Sequence, residues 1–189
     1  AVIACTSTGQ DGDLKKGVAW PSPRFTIDGT GLCVTDNLTG LMWVRTPDSI
    51  TRTWQTALDY ANNLTFCGYN DWRLPNRKEL RSLINYEQAN SAAWLNGQGF
   101  SNVQAFLYWS SSTYLSWFFP SSAWYVNMGD GSVNFFGKGG DRYVWPVRSG
   151  GTTAYLPKTG QTTCYNAAGT VIACANTGQD GELQRGATW

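Results

Sequence analysis

Not one of the 189 residues is a histidine. The chain therefore lacks the side chain that most often serves as a general base near neutral pH and most often ligates metals. Histidine-dependent hydrolytic triads and most zinc sites are excluded by composition, and no catalytic residue is assigned. Charge is also sparse: 14 Lys and Arg stand against 13 Asp and Glu, a net +1. The basic residues are scattered, which leaves no electrostatic footprint for nucleic acid. No apolar run approaches the roughly 18 residues of a membrane span, and no basic start with an apolar core reads as a leader peptide.

What the chain does have is aromatic side chains (10 Trp, 9 Tyr, 8 Phe) and an internal repeat. Residues 1–20, AVIACTSTGQDGDLKKGVAW, align without gaps to residues 170–189, TVIACANTGQDGELQRGATW, with 12 identities in 20. Such self-similarity predicts a tandem array with a unit of about 170 residues. The cysteines follow the same frame. Cys164 and Cys174 flank an Asn-Ala-Ala-Gly turn and are expected to close a hairpin. Cys5 is the repeat-equivalent of Cys174, so its partner is expected ten residues ahead of it, outside this chain. Cys33 and Cys67 pair most simply with each other. Structural disulfides point to an oxidising compartment; reduced thiols in a cytosolic protein are the alternative.

Four segments follow: a connector (1–23), a core domain (24–149), a Gly/Thr-rich linker (150–163), and a disulfide hairpin with the start of a next repeat (164–189). The linker contains Leu-Pro-Lys-Thr-Gly, a sortase-like run that lacks the apolar tail such a signal needs. Within the core, short strands are expected at 24–27, 32–36 and 42–45. A helix fits 54–64, where Trp54, Ala57, Leu58, Ala61 and Leu64 share a face behind a Thr53 cap. Asn76 with Glu79 resembles a capping box opening a second helix to about Tyr86. Residues 106–145 hold 13 of the 27 aromatics. There a Gly-Asp-Gly turn joins strands 123–128 and 132–136, and 143–148 reads as a last strand with Pro146 at a bulge. The class is α+β: two helices, short antiparallel strands, and a long loop-rich second half.

Six ordered blocks carry a resemblance. They are Asp36-Asn-Leu-Thr-Gly-Leu-Met-Trp43, Thr53-Trp-Gln-Thr-Ala-Leu58, Asp71-Trp-Arg-Leu-Pro-Asn-Arg-Lys-Glu-Leu80, Tyr108-Trp-Ser-Ser111, Ala123-Trp124 and the run 144–148. Over residues 24–149 the chain resembles the family of the C-terminal domain of the Legionella collagen-like adhesin. The resemblance implies a C-type-lectin-like fold and an extracellular or cell-surface bacterial protein. It does not bring a collagen stalk, because no Gly-X-Y run is present.

Within these blocks Trp43, Asp71, Trp72, Arg73, Glu79, Trp109 and Arg148 are read as architecture. Arg73 is expected to fork onto Glu79 or Asp36. Trp109, Trp124 and Trp145 are expected in the core. Candidate ligand-binding residues are Tyr114, Trp117 and Phe118 in a loop, with Tyr125, Asn127 and Asn134 on outward strand positions, since sugar faces stack on aromatic rings. No cofactor is expected. The loops 10–13 and 179–182 are oxygen-rich enough to raise calcium, yet they lack the ligand count of an EF-hand and read as polar turns. The expected function is a non-catalytic binding or adhesion module, with a glycan as the candidate ligand of its aromatic surface. The alternative is a subunit of an extended extracellular fibre without a small-molecule ligand. Expected partners are neighbouring repeats or copies of the chain, a glycan, or a surface protein; neither nucleic acid nor membrane insertion is expected.

Overall fold

A computed structural model describes residues 4–150 and 156–188. In chain order the elements are α1 (Asp11–Leu14), β1 (Phe25–Ile27), β2 (Cys33–Asp36), β3 (Leu41–Val44), β4 (Thr51–Arg52), α2 (Trp54–Asn62), α3 (Arg77–Arg81) and α4 (Ser91–Asn96). Then follow β5 (Leu107–Thr113), β6 (Ser122–Asn127), β7 (Val133–Gly137), β8 (Arg142–Tyr143), β9 (Val147–Ser149), β10 (Cys164–Tyr165), β11 (Val171–Ile172) and α5 (Asp180–Leu183). The strands form a four-stranded sheet, β1-β2-β3-β9, a five-stranded sheet, β4-β8-β5-β6-β7, and the β10-β11 hairpin. All pairings are antiparallel except β5 with β8. The α+β expectation holds.

Local signals explain the elements that match. The Thr53 side chain accepts from the Thr56 amide to start α2, and Asn76 and Glu79 form the capping box of α3. Gly131, at φ 76°, supplies the left-handed residue of the β6–β7 turn. Other elements differ. Helix α2 ends at Asn62 rather than 64, and α3 ends at Arg81 rather than near Tyr86; Leu83 and Ile84 are still buried, but from turns. Of the five helices among the described residues only α2 and α3 have counterparts in the two-helix reading; α4, the single-turn α1 and α5, and the two-residue β4 have none. The expected last strand over 143–148 is two strands. Residues 144–146 carry the chain from the five-stranded sheet into the four-stranded one, and Pro146 lies in that crossing where no ladder needs its missing amide.

Trp145 occupies the joint between the sheets. Its indole donates to the Val44 carbonyl at 2.8 Å, and its ring lies 5.1–5.8 Å from Phe100, Trp43 and Tyr108. Trp109 and Trp54 anchor a second cluster on the opposite face of β5–β6, where α2 packs with Leu74, Ala123 and Val144. Burying rings of this size contributes roughly 4–6 kcal/mol each before entropy is counted. The five-stranded sheet is thus covered on both faces.

The motif residues read as architecture are each ion-paired or buried. Arg73 forks onto Glu79 with two 2.7 Å bonds, both side chains buried, while Glu79 also accepts the Asn76 amide at 2.8 Å. Asp36, the other partner considered for Arg73, instead pairs with Arg24 at 3.3 Å. Arg148 forks onto Asp71 at 2.6 and 3.2 Å and lies over the Tyr69 ring. Trp43 and Trp109 are fully buried, and Trp72 nearly so. Both expected disulfides, Cys33–Cys67 and Cys164–Cys174, are present, and Cys5 is free and exposed.

The hairpin and the segment after it pack on the core. The buried Lys138 ammonium donates to the carbonyls of Tyr165 and Asn166 and lies 4.0 Å over the Trp54 ring. Burial holds its pKa down at about 8, against an ordinary 10.5. Below about pH 8 folded and unfolded chains both carry the proton, and the folded state bears the full cost of the buried charge. Between about 8 and 10.5 only the folded chain releases it, so stability is expected to rise from pH 8 to 9.5. Guanidinium unfolding at the two pH values checks this, and the rise should vanish in Lys138→Met.

Candidate functional site

Strand β5 runs out of the core at Tyr114, and the chain loops through residues 115–121 before returning as β6. The loop is braced by an aromatic ladder. Tyr114 stacks on Phe135 at 3.8 Å with an interplanar angle of 2° and meets Trp124 edge-on at 4.9 Å, while Phe119 lies 5.3 Å from Phe135. The Arg77 guanidinium closes the ladder, 4.4 Å over Trp124. These rings are occupied with one another; the ones beyond them are not. Trp117 is 99% and Phe118 87% exposed, with Leu115 beside them also exposed.

Two clefts flank the loop. One, of about 330 Å³, is lined by Thr113, Tyr114, Leu115 and Trp124 on one side and by residues 159–163 on the other. Gln161 ties its walls together, accepting from the Thr113 amide at 3.1 Å and donating to the Thr113 carbonyl. The Thr113 hydroxyl is buried without a protein partner among the described residues. The other cleft, of about 550 Å³, lies between Tyr114, Trp117 and Pro120 and the hairpin residues Tyr165, Gly169 and Val171, and its lining is largely apolar. Gly169, at φ 85°, meets Pro120 so closely that a Cβ would fall 2.3 Å from its carbonyl, which fixes the hairpin against the loop.

The structure brings together three of the six candidate residues: Tyr114, Trp117 and Phe118. The others lie elsewhere. Tyr125 is half-buried against the second core cluster rather than outward, because α2 covers that face of β6. Asn134 pairs with Tyr125 in register, is exposed, and its Oδ1 accepts the Phe135 amide. Asn127 sits at the opposite end of β6, roughly 15 Å of strand from the loop, where its Oδ1 accepts the Gly129 amide and anchors the turn. Trp124, expected in the core, is half-buried in the ladder. The sequence does not mark the cleft walls at 159–163 and at Tyr165, since a continuous Gly/Thr-rich polar run carries no periodicity.

Among the described residues one grouping has metal-ligand donor types, Asp28 with Cys33 and Cys67, but its two sulfurs are bonded to each other. The 179–182 run, read from sequence as a polar turn, is the N-cap and start of α5; there the Asp180 carboxylate is buried, and Oδ2 accepts from Ser112 and Thr159 at 2.6 and 2.7 Å. Burial raises its pKa despite those two bonds. No helix among the described residues is long and apolar enough to cross a membrane.

No curated protein matches the chain. A family model described as the Lcl C-terminal domain matches residues 32–148, which contain the whole five-stranded sheet, β2 and β3 of the four-stranded one, the Arg73–Glu79 pair and the aromatic ladder. With more than half of its length matched, the chain belongs to the Lcl C-terminal domain family.

Proposed function

We propose that this chain is a non-catalytic extracellular binding module of the adhesin type, C-type-lectin-like in fold, that takes a glycan on the loop bearing Trp117 and Phe118. One observation carries the reading: two large rings stand almost fully in solvent on a loop that is braced beneath by Tyr114, Trp124 and Phe135. Free apolar rings on a held backbone are costly to display unless something covers them. The C–H face of a sugar ring stacks on an indole, while the neighbouring cleft offers Thr and Gln side chains for sugar hydroxyls. Membership of an adhesin-related family and two disulfides support an extracellular setting. A shallow site of this kind binds weakly alone, and repetition along a chain would raise avidity.

The test is a glycan array probed with the chain and with Trp117→Ala/Phe118→Ser. At about 1 kcal/mol per lost ring contact, binding should fall roughly tenfold or more. The melting temperature should not change, because both side chains lie outside the core. Binding by the variant equal to the parent's would remove the loop as the site, and a silent array for the parent would remove the glycan. A second reading, a structural unit of an extended fibre, is favoured by the way the repeated segment packs.

A further inference from the structure

Two closely similar sequences occur in this chain, in one shape and two environments. Ser7 and Asn176 have φ 60° and 61°, Gly9 and Gly178 69° and 64°, Lys15 and Gln184 46° and 44°, and Gly17 and Gly186 113° and 120°. Internal hydrogen bonds match as well. Thr8 and Thr177 each donate to the carbonyl three residues back, at 2.6 and 2.8 Å, and the Gly9 and Gly178 amides donate to Asp13 and Glu182. The segment therefore carries its conformation in its own sequence and needs no partner to adopt it.

The C-terminal copy is docked. Gln179 clamps the backbone of Tyr165 with two bonds of 2.9 and 3.0 Å, Asp180 is buried under Ser112 and Thr159, and Ala187 bonds to Leu156 and Lys158. Gly181 lies so close to Thr163 that a Cβ would stand 2.3 Å from its carbonyl. The N-terminal copy is exposed over the same positions, and the Gln10 and Asp11 side chains make no hydrogen bond among the described residues. Gly12, unlike Gly181, meets only the Cys5 sulfur, at 3.2 Å, and its φ is not left-handed. Among the described residues no backbone atom stands where a Cβ at position 12 would go, whereas the Thr163 backbone does so at position 181.

We propose that residues 5–18 are a docking segment whose partner is the domain of a preceding copy of this unit, seated there as residues 174–187 are seated on this domain. The partner surface is the one that Tyr165, Ser112 and Thr159 present here. Trp20 makes the joint short. Its ring lies 5.5 Å from Trp94, with the Arg24 guanidinium 4.2 Å over it, so the chain is pinned to its own domain three residues after Gly17. Three residues span at most about 10 Å, which sets successive domains side by side with little slack. This inference deepens the fibre reading and rests on the repeat, with no dependence on the aromatic loop or its ligand.

The experiment is a tandem protein in which residue 169 of one copy continues into residue 1 of a second, complete chain, with spin labels on the two core domains. A single narrow distance distribution is expected, together with slowed hydrogen exchange at the second copy's residues 10–18 relative to the first copy's. Gly12→Ala in the second copy should broaden the distribution and speed that exchange, while the same change in the single chain should leave its melting temperature unaltered. A broad distribution in the parent tandem, or a narrow one that survives Gly12→Ala, would overturn the proposal. A second tandem whose junction carries residues 170–189 unchanged reports on the fusion itself. If it folds rigidly while the first does not, residues 1–20 do not dock.

Discussion

Arg73→Met is expected to lower the free energy of unfolding by about 3–5 kcal/mol, the range for removing one member of a buried ion pair. The substitution strands the Glu79 carboxylate, which is buried and retains only the Asn76 amide of its bonds to the core. Glu79 cannot turn to water without giving up the capping box that starts α3. Adding Glu79→Gln should recover part of the loss, because glutamine can still accept the Asn76 amide and carries no charge. Denaturant unfolding of the two single variants and the double variant gives the coupling. A loss below about 1 kcal/mol for Arg73→Met would mean that the pair behaves like a solvated one.

Replacing Cys33 and Cys67 together by alanine is expected to cost about 3–4 kcal/mol. The bond closes 34 residues of chain, and the loss of unfolded-state entropy on such a closure has that size. For a chain of this length the melting temperature should fall by roughly 8–15 °C. Cys33 is fully buried beside Val34 and Trp43, so part of the effect will come from packing. Calorimetry of the parent and the double variant, each oxidised and reduced, separates the two contributions, because under reduction Cys164–Cys174 is open in both and only packing at 33 and 67 differs. An unchanged melting temperature in both would show that the staple is dispensable.

What could be read from the sequence was local. The Thr53 cap, the Asn76–Glu79 box, the Gly131 turn and both disulfides depend on residues near one another or on the repeat frame, and each is where the residues place it. For Arg73 the sequence left Glu79 and Asp36 open as partners, and the capping box that holds Glu79 within reach is what decides between them. What escaped depends on what covers a strand. Alternation along β6 separates Trp124 from Tyr125, but both faces of that sheet are covered, by the aromatic ladder and Arg77 on one side and α2 on the other. Period two therefore could not tell inside from outside. Tyr125 left the candidate site for that reason, and Asn127 left it because its amide serves its own turn. The second wall of the cleft lies some 50 residues on from Thr113, in a polar stretch with no pattern to mark it. The division of 143–148 between two sheets was likewise a matter of tertiary contact, visible in sequence only as Pro146.

Two like-sequenced segments have unlike surroundings in this chain, one packed on the domain and one exposed. Hydrogen exchange on the intact single chain compares them in one sample. The amides of Leu183, Gln184 and Ala187 should exchange at least tenfold more slowly than those of Leu14, Lys15 and Val18, although the backbone bonds within the two turns are alike. Equal rates in the two segments would contradict that contrast.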